Sequence, residues 1–208
     1  MNEHLIEYFK PRFHCRINNE PVQIGEAEWF LERHPEHRYD PFIDFDVYLP
    51  KYGRNLQRPF VWSIKQKSEL IKSILRDIKI DPLTIVQVRD SQAENPLVWQ
   101  IIDGKQRLST IFSYLRDEFA MEVDGVEYYY KDLPEELQKK IKWFDLRAYL
   151  IYHNIYHDPR IDQKIIDRET VTDEDRIELY LYINYMGTQQ DESYMENLAE
   201  LVNQHKNK

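Results

Sequence analysis

Glycine is scarce in this chain of 208 residues. There are five, Gly25, Gly53, Gly104, Gly125 and Gly187, where an ordinary usage of ~7% would give about fourteen. The closest two lie 21 positions apart. Neither a GxGxxG dinucleotide loop nor a GxxxxGK[ST] phosphate loop is therefore present, since both need glycines within a few residues of each other. Cysteine is scarcer still: Cys15 stands alone, so no internal disulfide forms, and a reducing cytoplasm is the expected compartment. No apolar run approaches the ~20 residues of a spanning helix. The first residues, Met1 to Glu7, lack the basic and then apolar pattern of a leader. Neither a membrane partner nor a leader is expected.

Positive charge is also short. The net charge is −9, which argues against a general nucleic-acid coat, because phosphate neutralisation dominates non-specific affinity. The distribution is uneven, however. Residues 51–110 carry eleven Lys/Arg against six Asp/Glu, whereas residues 158–200 carry four against twelve. A basic middle and an acidic C-terminal third suggest an anion site framed by a solvated acidic region. Aromatics at 13% and hydrophobics at 42% exceed what a disordered chain carries and suffice for a core.

The length suits one domain, with residues 1–44 as an N-terminal extension of it and 45–208 as its body. The expected class is α+β: a small mixed sheet with a mostly helical C-terminal part. Residues 1–45 are read as irregular, interrupted by Pro11, Pro21, Pro35 and Pro41, apart from a short helix over 26–33. A strand is expected over 45–49, a loop over 51–62 and a helix over 65–78, whose Leu70, Ile71, Ile74, Leu75 and Ile78 recur on one face and form a core stripe. Strands follow over 83–88 and 97–102, joined by polar turn residues 89–96. A second helix carries Leu108, Ile111, Phe112 and Leu115 at i, i+3, i+4 and i+7. Asp124-Gly125 marks a hairpin between 119–123 and 126–130. A helix begins at Pro134, and a strand covers 146–152. Thr172, as an N-cap, opens a helix to about Asn184 that ends near Gly187, and a last helix spans 192–203.

The residues that carry chemistry are Asp103-Gly104-Lys105-Gln106-Arg107, at the junction of a strand and a helix. The first N–H groups of a helix have no internal acceptor and the dipole is positive there, so such an end takes a phosphate readily. Gly104 lets the backbone approach an anion. Lys105 and Arg107 add full charges in the first turn, which is unfavourable by ~0.3–1 kcal/mol each. They imply a compensating anion, or a salt bridge such as one to Asp103. A plain turn with solvated cations is the equally weighted alternative on this pattern alone.

Three segments in order resemble the N-terminal domain of GmrSD-type, modification-dependent restriction systems. They are Gln57-Arg58-Pro59-Phe60-Val61-Trp62, Ile102-Asp103-Gly104-Lys105-Gln106-Arg107-Leu108 and Ile183-Asn184-Tyr185-Met186-Gly187-Thr188, similar to that family's Q-R-x-[aromatic]-x-W, I-D-G-Q-Q-R-L and [IL]-N-x-G-G-T. Residues 68–75 also resemble its L-I-x-S-I-L helix. The resemblance implies a ParB/sulfiredoxin-like core, with Gly104–Arg107 as its phosphate-binding G-x-x-R. It implies a nucleotide-binding, NTP-hydrolysing or DNA-acting domain of a phage-defence system. In that reading Gln57, Arg58, Gly104, Lys105 and Asn184 bind a nucleoside triphosphate of unspecified base. Asp103, Gln106 and Arg107 serve catalysis, with Asp103 holding Mg²⁺ or orienting water. Partners implied are the nucleotide, DNA and a separate nuclease subunit. Lys105 replaces a family glutamine and Met186 a family glycine. The nuclease domain that follows in many relatives is not expected here. The rival readings are a non-catalytic DNA- or partner-binding module and a ParB-like DNA nickase.

Other candidates are weaker. His34 and His37 flank Pro35 and lack a third ligand, and His153, His157 and Asp158 lack partners for a metal. His14 and Cys15 are neighbours in sequence only. Asp40, Asp44 and Asp46 suit turns better than Mg²⁺. Tyr128, Tyr129 and Tyr130 suit hairpin packing as well as base stacking. Trp62 stands out because it follows Gln57-Arg58.

Overall fold

The computed structural model describes residues 13–17, 22–23, 43–89, 97–153, 166–167, 171–186 and 192–206. Its centre is a pair of antiparallel strands, β6 (Leu83–Arg89) and β7 (Leu97–Asp103). Both are rich in Val and Ile, which pack well on a pleated surface buried on two sides. They belong to a six-stranded sheet that also holds β1 (Phe13–Ile17), β3 (Ile43–Asp44), β11 (Ala148–His153) and β12 (Ile166–Asp167). The order is β1-β11-β6-β7-β3, with β12 also beside β6. β11 and β12 run parallel to β6, β3 runs parallel to β7, and β1 runs antiparallel to β11. The sheet is thus mixed, and the α+β class holds.

The period-2 alternation of the strands sorts their side chains into two cores. Leu83, Ile85 and Ile101 join α1 (Ile64–Leu75), α2 (Lys105–Leu115) and α3 (Glu135–Lys142) in one cluster, through Leu70, Ile71, Ile74, Leu108, Ile111, Phe112 and Ile141. Val86, Val88, Val98 and Ile102 join α4 (Asp173–Met186) and α5 (Glu192–Lys206) in the other, through Ile177, Tyr180, Met195 and Leu198. Three small antiparallel pairs complete the description. They are β4 (Tyr48–Leu49) with β5 (Arg54–Asn55), β8 (Met121–Val123) with β9 (Val126–Tyr128), and β10 (Asp145–Leu146) with β2 (Val22–Gln23).

Several boundaries differ from the sequence reading, each for a local reason. The strand expected over 45–49 is reduced to Tyr48–Leu49. Asp44 Oδ1 accepts the N–H groups of Asp46 (3.2 Å) and Val47 (2.8 Å), an Asx turn that bends the chain between β3 and β4. The first long helix stops at Leu75, because Asp77 takes a left-handed conformation (φ +56°). Ile78 is therefore half exposed and no part of the core. The strand over 146–152 is two, β10 and β11. The hairpin strands are shorter than expected, but Asp124 (φ +52°) and Gly125 (φ +79°) form its turn. Residues 1–45 are not all irregular, since Phe13–Ile17 pairs with β11. Its Phe-x-Cys-x-Ile alternation was a legible strand signal. The helix over 26–33, the turn residues 90–96, Gly25, His34, His37, Asp40, His157, Asp158, Gly187 and Thr188 lie outside the described residues.

Candidate functional site

The N-termini of the helices set up the site by contrast. α1 begins with a reciprocal capping box between Ser63 and Gln66, and α4 with a mutual pair: Thr172 Oγ1 accepts from Asp175 N–H (3.1 Å), and Asp175 Oδ2 from Thr172 N–H (3.0 Å). α3 has Glu135 and Glu136 in its first turn. α2 has neither device. Its N-cap is Gly104, without a side-chain cap and without an acidic residue in the first turn. The first bond of its ladder runs from Leu108 N–H to Gly104 C=O (2.9 Å), so the amides of Lys105, Gln106 and Arg107 precede it. Gly104 is mandatory on two counts. Its φ is +99°, and a Cβ there would lie 2.2 Å from Leu83 Cδ2.

This helix start opens into a cleft of about 170 Å³ lined by Gln57, Arg58, Trp62, Ile102, Asp103, Gly104, Lys105, Gln106, Arg107 and Tyr180. The first two sequence segments thus meet. Two glutamines bring them together. β3 pairs with β7 only as far as Gln100. Just beyond, Gln57 Nε2 donates to the carbonyls of Ile101 and Ile102, both at 2.7 Å. Gln106 clasps the other side of the loop: its Oε1 accepts from Val61 N–H (3.0 Å) and its Nε2 donates to Pro59 C=O (3.2 Å). Arg58 is held between these two ties. Both ends of the Gln106 amide are committed to the loop, so its visible work is structural.

The charges are unequally satisfied. Arg107 Nη2 donates to Asp103 Oδ2 (2.7 Å) and to Pro82 C=O (3.1 Å), and its buried Nε has no partner among the described residues. Lys105 Nζ is 2.5 Å from Asp46 Oδ1. The two first-turn cations thus each have a carboxylate, as expected for Arg107 and Asp103. Arg58 makes no hydrogen bond or ion pair among the described residues. Among the described residues, three cations and one carboxylate therefore line the cleft, and one guanidinium, with five donors in a fixed fork, is unengaged.

Asn184 is placed elsewhere. It is buried, its Nδ2 donates to Tyr180 C=O (2.7 Å), and it is not among the lining residues. The part of α4 that reaches the cleft is Tyr180, which the sequence reading missed. The signal was available, since Tyr180 lies one helical turn before Asn184. Trp62 does line the cleft. Among the described residues Asp103 is the only lining carboxylate, and one of its oxygens is taken by Arg107. Mg²⁺ sites use one or two carboxylates together with substrate phosphates, so these residues alone do not make one. Among the described residues no group of three His, Cys, Asp or Glu side chains is placed to hold a metal. No described helix is long and apolar enough to cross a membrane.

Residues 44–207 match the GmrSD restriction endonuclease N-terminal domain. The chain belongs to this family. The match covers all three motif segments and the whole cleft, so the site described here is the family's own region of sequence. Membership makes the chain a domain of restriction systems that serve phage defence. No curated protein and no solved structure matches it. The ParB/sulfiredoxin-like core is thus what the family resemblance implies, and no solved structure stands beside it.

Proposed function

We propose that the cleft binds the terminal phosphates of a nucleotide and thereby serves a restriction system as its nucleotide-responsive domain. The observation that carries this reading is Arg58, a guanidinium without a partner among the described residues, beside a helix start that has neither cap nor acid. An anion there gains the amides of Lys105 to Arg107, the helix dipole and the Arg58 fork together. The cleft is smaller than the ~300–1,000 Å³ of typical small-molecule pockets, which suits a phosphate group inside and the nucleoside outside. Hydrolysis needs an oriented water. Asp103 Oδ1, the oxygen that Arg107 does not bind, is the group available for it, and positioning plus charge stabilisation suffices for phosphoryl transfer.

The test is calorimetry with ATP, GTP, CTP and UTP, with and without Mg²⁺, alongside phosphate release. Arg58→Ala is expected to weaken binding roughly ten- to hundredfold, the worth of one or two charge-assisted bonds. Asp103→Asn should spare binding and abolish release. No nucleotide binding by the unaltered protein rejects the reading. Salt-dependent DNA binding in its place would favour a DNA-binding module, and Mg²⁺-dependent nicking a nickase.

A further inference from the structure

We infer that the rim segment Phe60–Ile64 is the platform on which the nucleoside of the bound nucleotide rests, and that it takes any base by its face. The inference rests on the anion-binding reading above and deepens it. The cleft, at about 170 Å³, suits the phosphates and leaves the nucleoside outside, so the nucleoside has to lie on what adjoins the opening. The backbone of this segment is fixed there. Arg58 and Trp62 line the cleft, and Gln106, also in its lining, bonds Pro59 C=O (3.2 Å) and Val61 N–H (3.0 Å) between them. Val61 is thus one side-chain amide away from the first turn of α2.

What the segment turns to solvent is apolar. Val61 is 60% exposed, Ile64 55% and Phe60 37%. Single exposed apolar side chains are ordinary, but three large ones within five positions, beside a polar cleft, mark a binding surface. The Phe60 ring is pinned to α1 by the Lys67 ammonium, 4.6 Å from its centroid, and keeps part of its surface in water. Hydrocarbon next to an anion site suits a ligand that is charged at one end and flat and apolar at the other, as a nucleotide is. Charge agrees, since residues 47–68 carry five Lys/Arg and no Asp or Glu. Reading a base by its edge needs polar side chains that face it. Here the Gln106 amide is committed at both ends to the loop, Gln57 Nε2 to the carbonyls of Ile101 and Ile102, and the Ser63 hydroxyl to Gln66 Oε1 in the cap of α1. The platform therefore presents mainly hydrocarbon. Contact with the face of a base is tolerant of its identity, because every base has such a face.

The experiment titrates the full chain by calorimetry with ATP, UTP and tripolyphosphate, beside Val61→Ser and the double variant Phe60→Ser/Val61→Ser. Both residues are exposed, so the urea midpoint should not move. The double variant is expected to bind both nucleotides roughly tenfold more weakly, the order of one lost stacking contact, and to bind tripolyphosphate as the parent does. Val61→Ser should show part of that loss, and it decides the matter if the double variant does not fold. The fluorescence of 2-aminopurine riboside triphosphate should be quenched on binding to the parent and less on binding to the double variant, a readout of stacking itself. If the parent binds all three ligands and the variants keep its affinity for nucleotides, or lose tripolyphosphate equally, the rim is no platform and this inference fails while the anion site stands. Loss of a dimer in the variants at unchanged nucleotide affinity would make the surface an interface between copies instead. A hundredfold preference of the parent for one nucleotide over the other would show edge readout and overturn the tolerance. If the parent binds neither nucleotide nor tripolyphosphate, the anion site fails and the inference with it.

Discussion

At Gly104 backbone and packing both forbid a side chain. The left-handed φ costs a non-glycine residue about 1–3 kcal/mol. The Cβ would also collide with Leu83, which is fully buried on β6, and forced overpacking costs a similar amount. Gly104→Ala is thus expected to lose roughly 2–4 kcal/mol in urea denaturation and to weaken anion binding, because relief comes only by moving β6 or the first turn of α2. A loss under about 1 kcal/mol would show that the junction is softer than its geometry. The other motif residues divide by what they touch. Gln57 and Gln106 hold backbone, Arg107 holds Asp103 and Pro82, and Arg58 has no hydrogen bond or ion pair among the described residues. Residue type and spacing announced a polar, basic site, but not this division of labour, since it depends on which carbonyls the loop presents.

Helix ends show what a glycine-poor sequence does instead. α1 and α2 each close in a Schellman arrangement with an aspartate in the left-handed position. Asp77 (φ +56°) and Asp117 (φ +57°) donate to Ile74 and Tyr114, and the next N–H groups, of Ile78 and Glu118, donate to Ser73 and Ser113. Glycine removes the Cβ conflict of that conformation, but the two sites differ. Among the described residues the Asp77 side chain has only an exposed ion pair with Lys140, worth little, whereas Asp117 Oδ1 accepts Lys131 N–H (3.0 Å). Asp77→Gly should stabilise by about 0.5 kcal/mol, and Asp117→Gly should be neutral or destabilising. Equal gains at both sites would contradict this account.

The start of α4 titrates. Burial alone would raise the Glu174 carboxyl, but hydrogen bonds from Lys51 Nζ and Tyr52 Oη overcome it and hold its pKa at about 2. A depressed carboxylate contributes stability above its unfolded value near 4.5 and loses it as pH falls toward 2. Glu174→Gln is therefore expected to be less stable than the parent at pH 7, with the gap shrinking between pH 4.5 and 2. A gap that stays constant with pH would remove Glu174 as its source.

At the scale of the molecule, the sheet separates two helical layers; sequence periodicity anticipated the helices of the first, whereas the first helix of the second was legible by its cap and the layering itself was not. The stripes of α1 and α2 and the β-branched runs of β6 and β7 were readable because burial on one or two faces leaves a periodic trace. Strand order was not, because pairing β11 with β6 and β3 with β7 needs contacts far apart in sequence. The polar connection through the sheet was equally hidden. Gln100, on β7, is fully buried. Its Nε2 donates to Asp44 Oδ2 (3.3 Å) and its Oε1 accepts from Arg176 Nε (3.0 Å). Arg176 Nη1 donates to Val171 C=O (2.5 Å) and Asp173 Oδ1 (3.4 Å), and Asp173 Oδ2 accepts Lys51 N–H (2.7 Å). Asp44 in turn builds the bend that presents Asp46 to Lys105. One chain of bonds thus runs from the start of α4, through the middle of the sheet, to the rim of the cleft. Removing one partner of a buried pair leaves the other charge uncompensated, at about 3–5 kcal/mol. Arg176→Met is expected to lose that much in urea and to expose the amides of α4 to hydrogen exchange before those of β6 and β7. An evenly distributed loss of protection would mean that the second layer is held by its apolar contacts, and that this chain of bonds does not join it to the site.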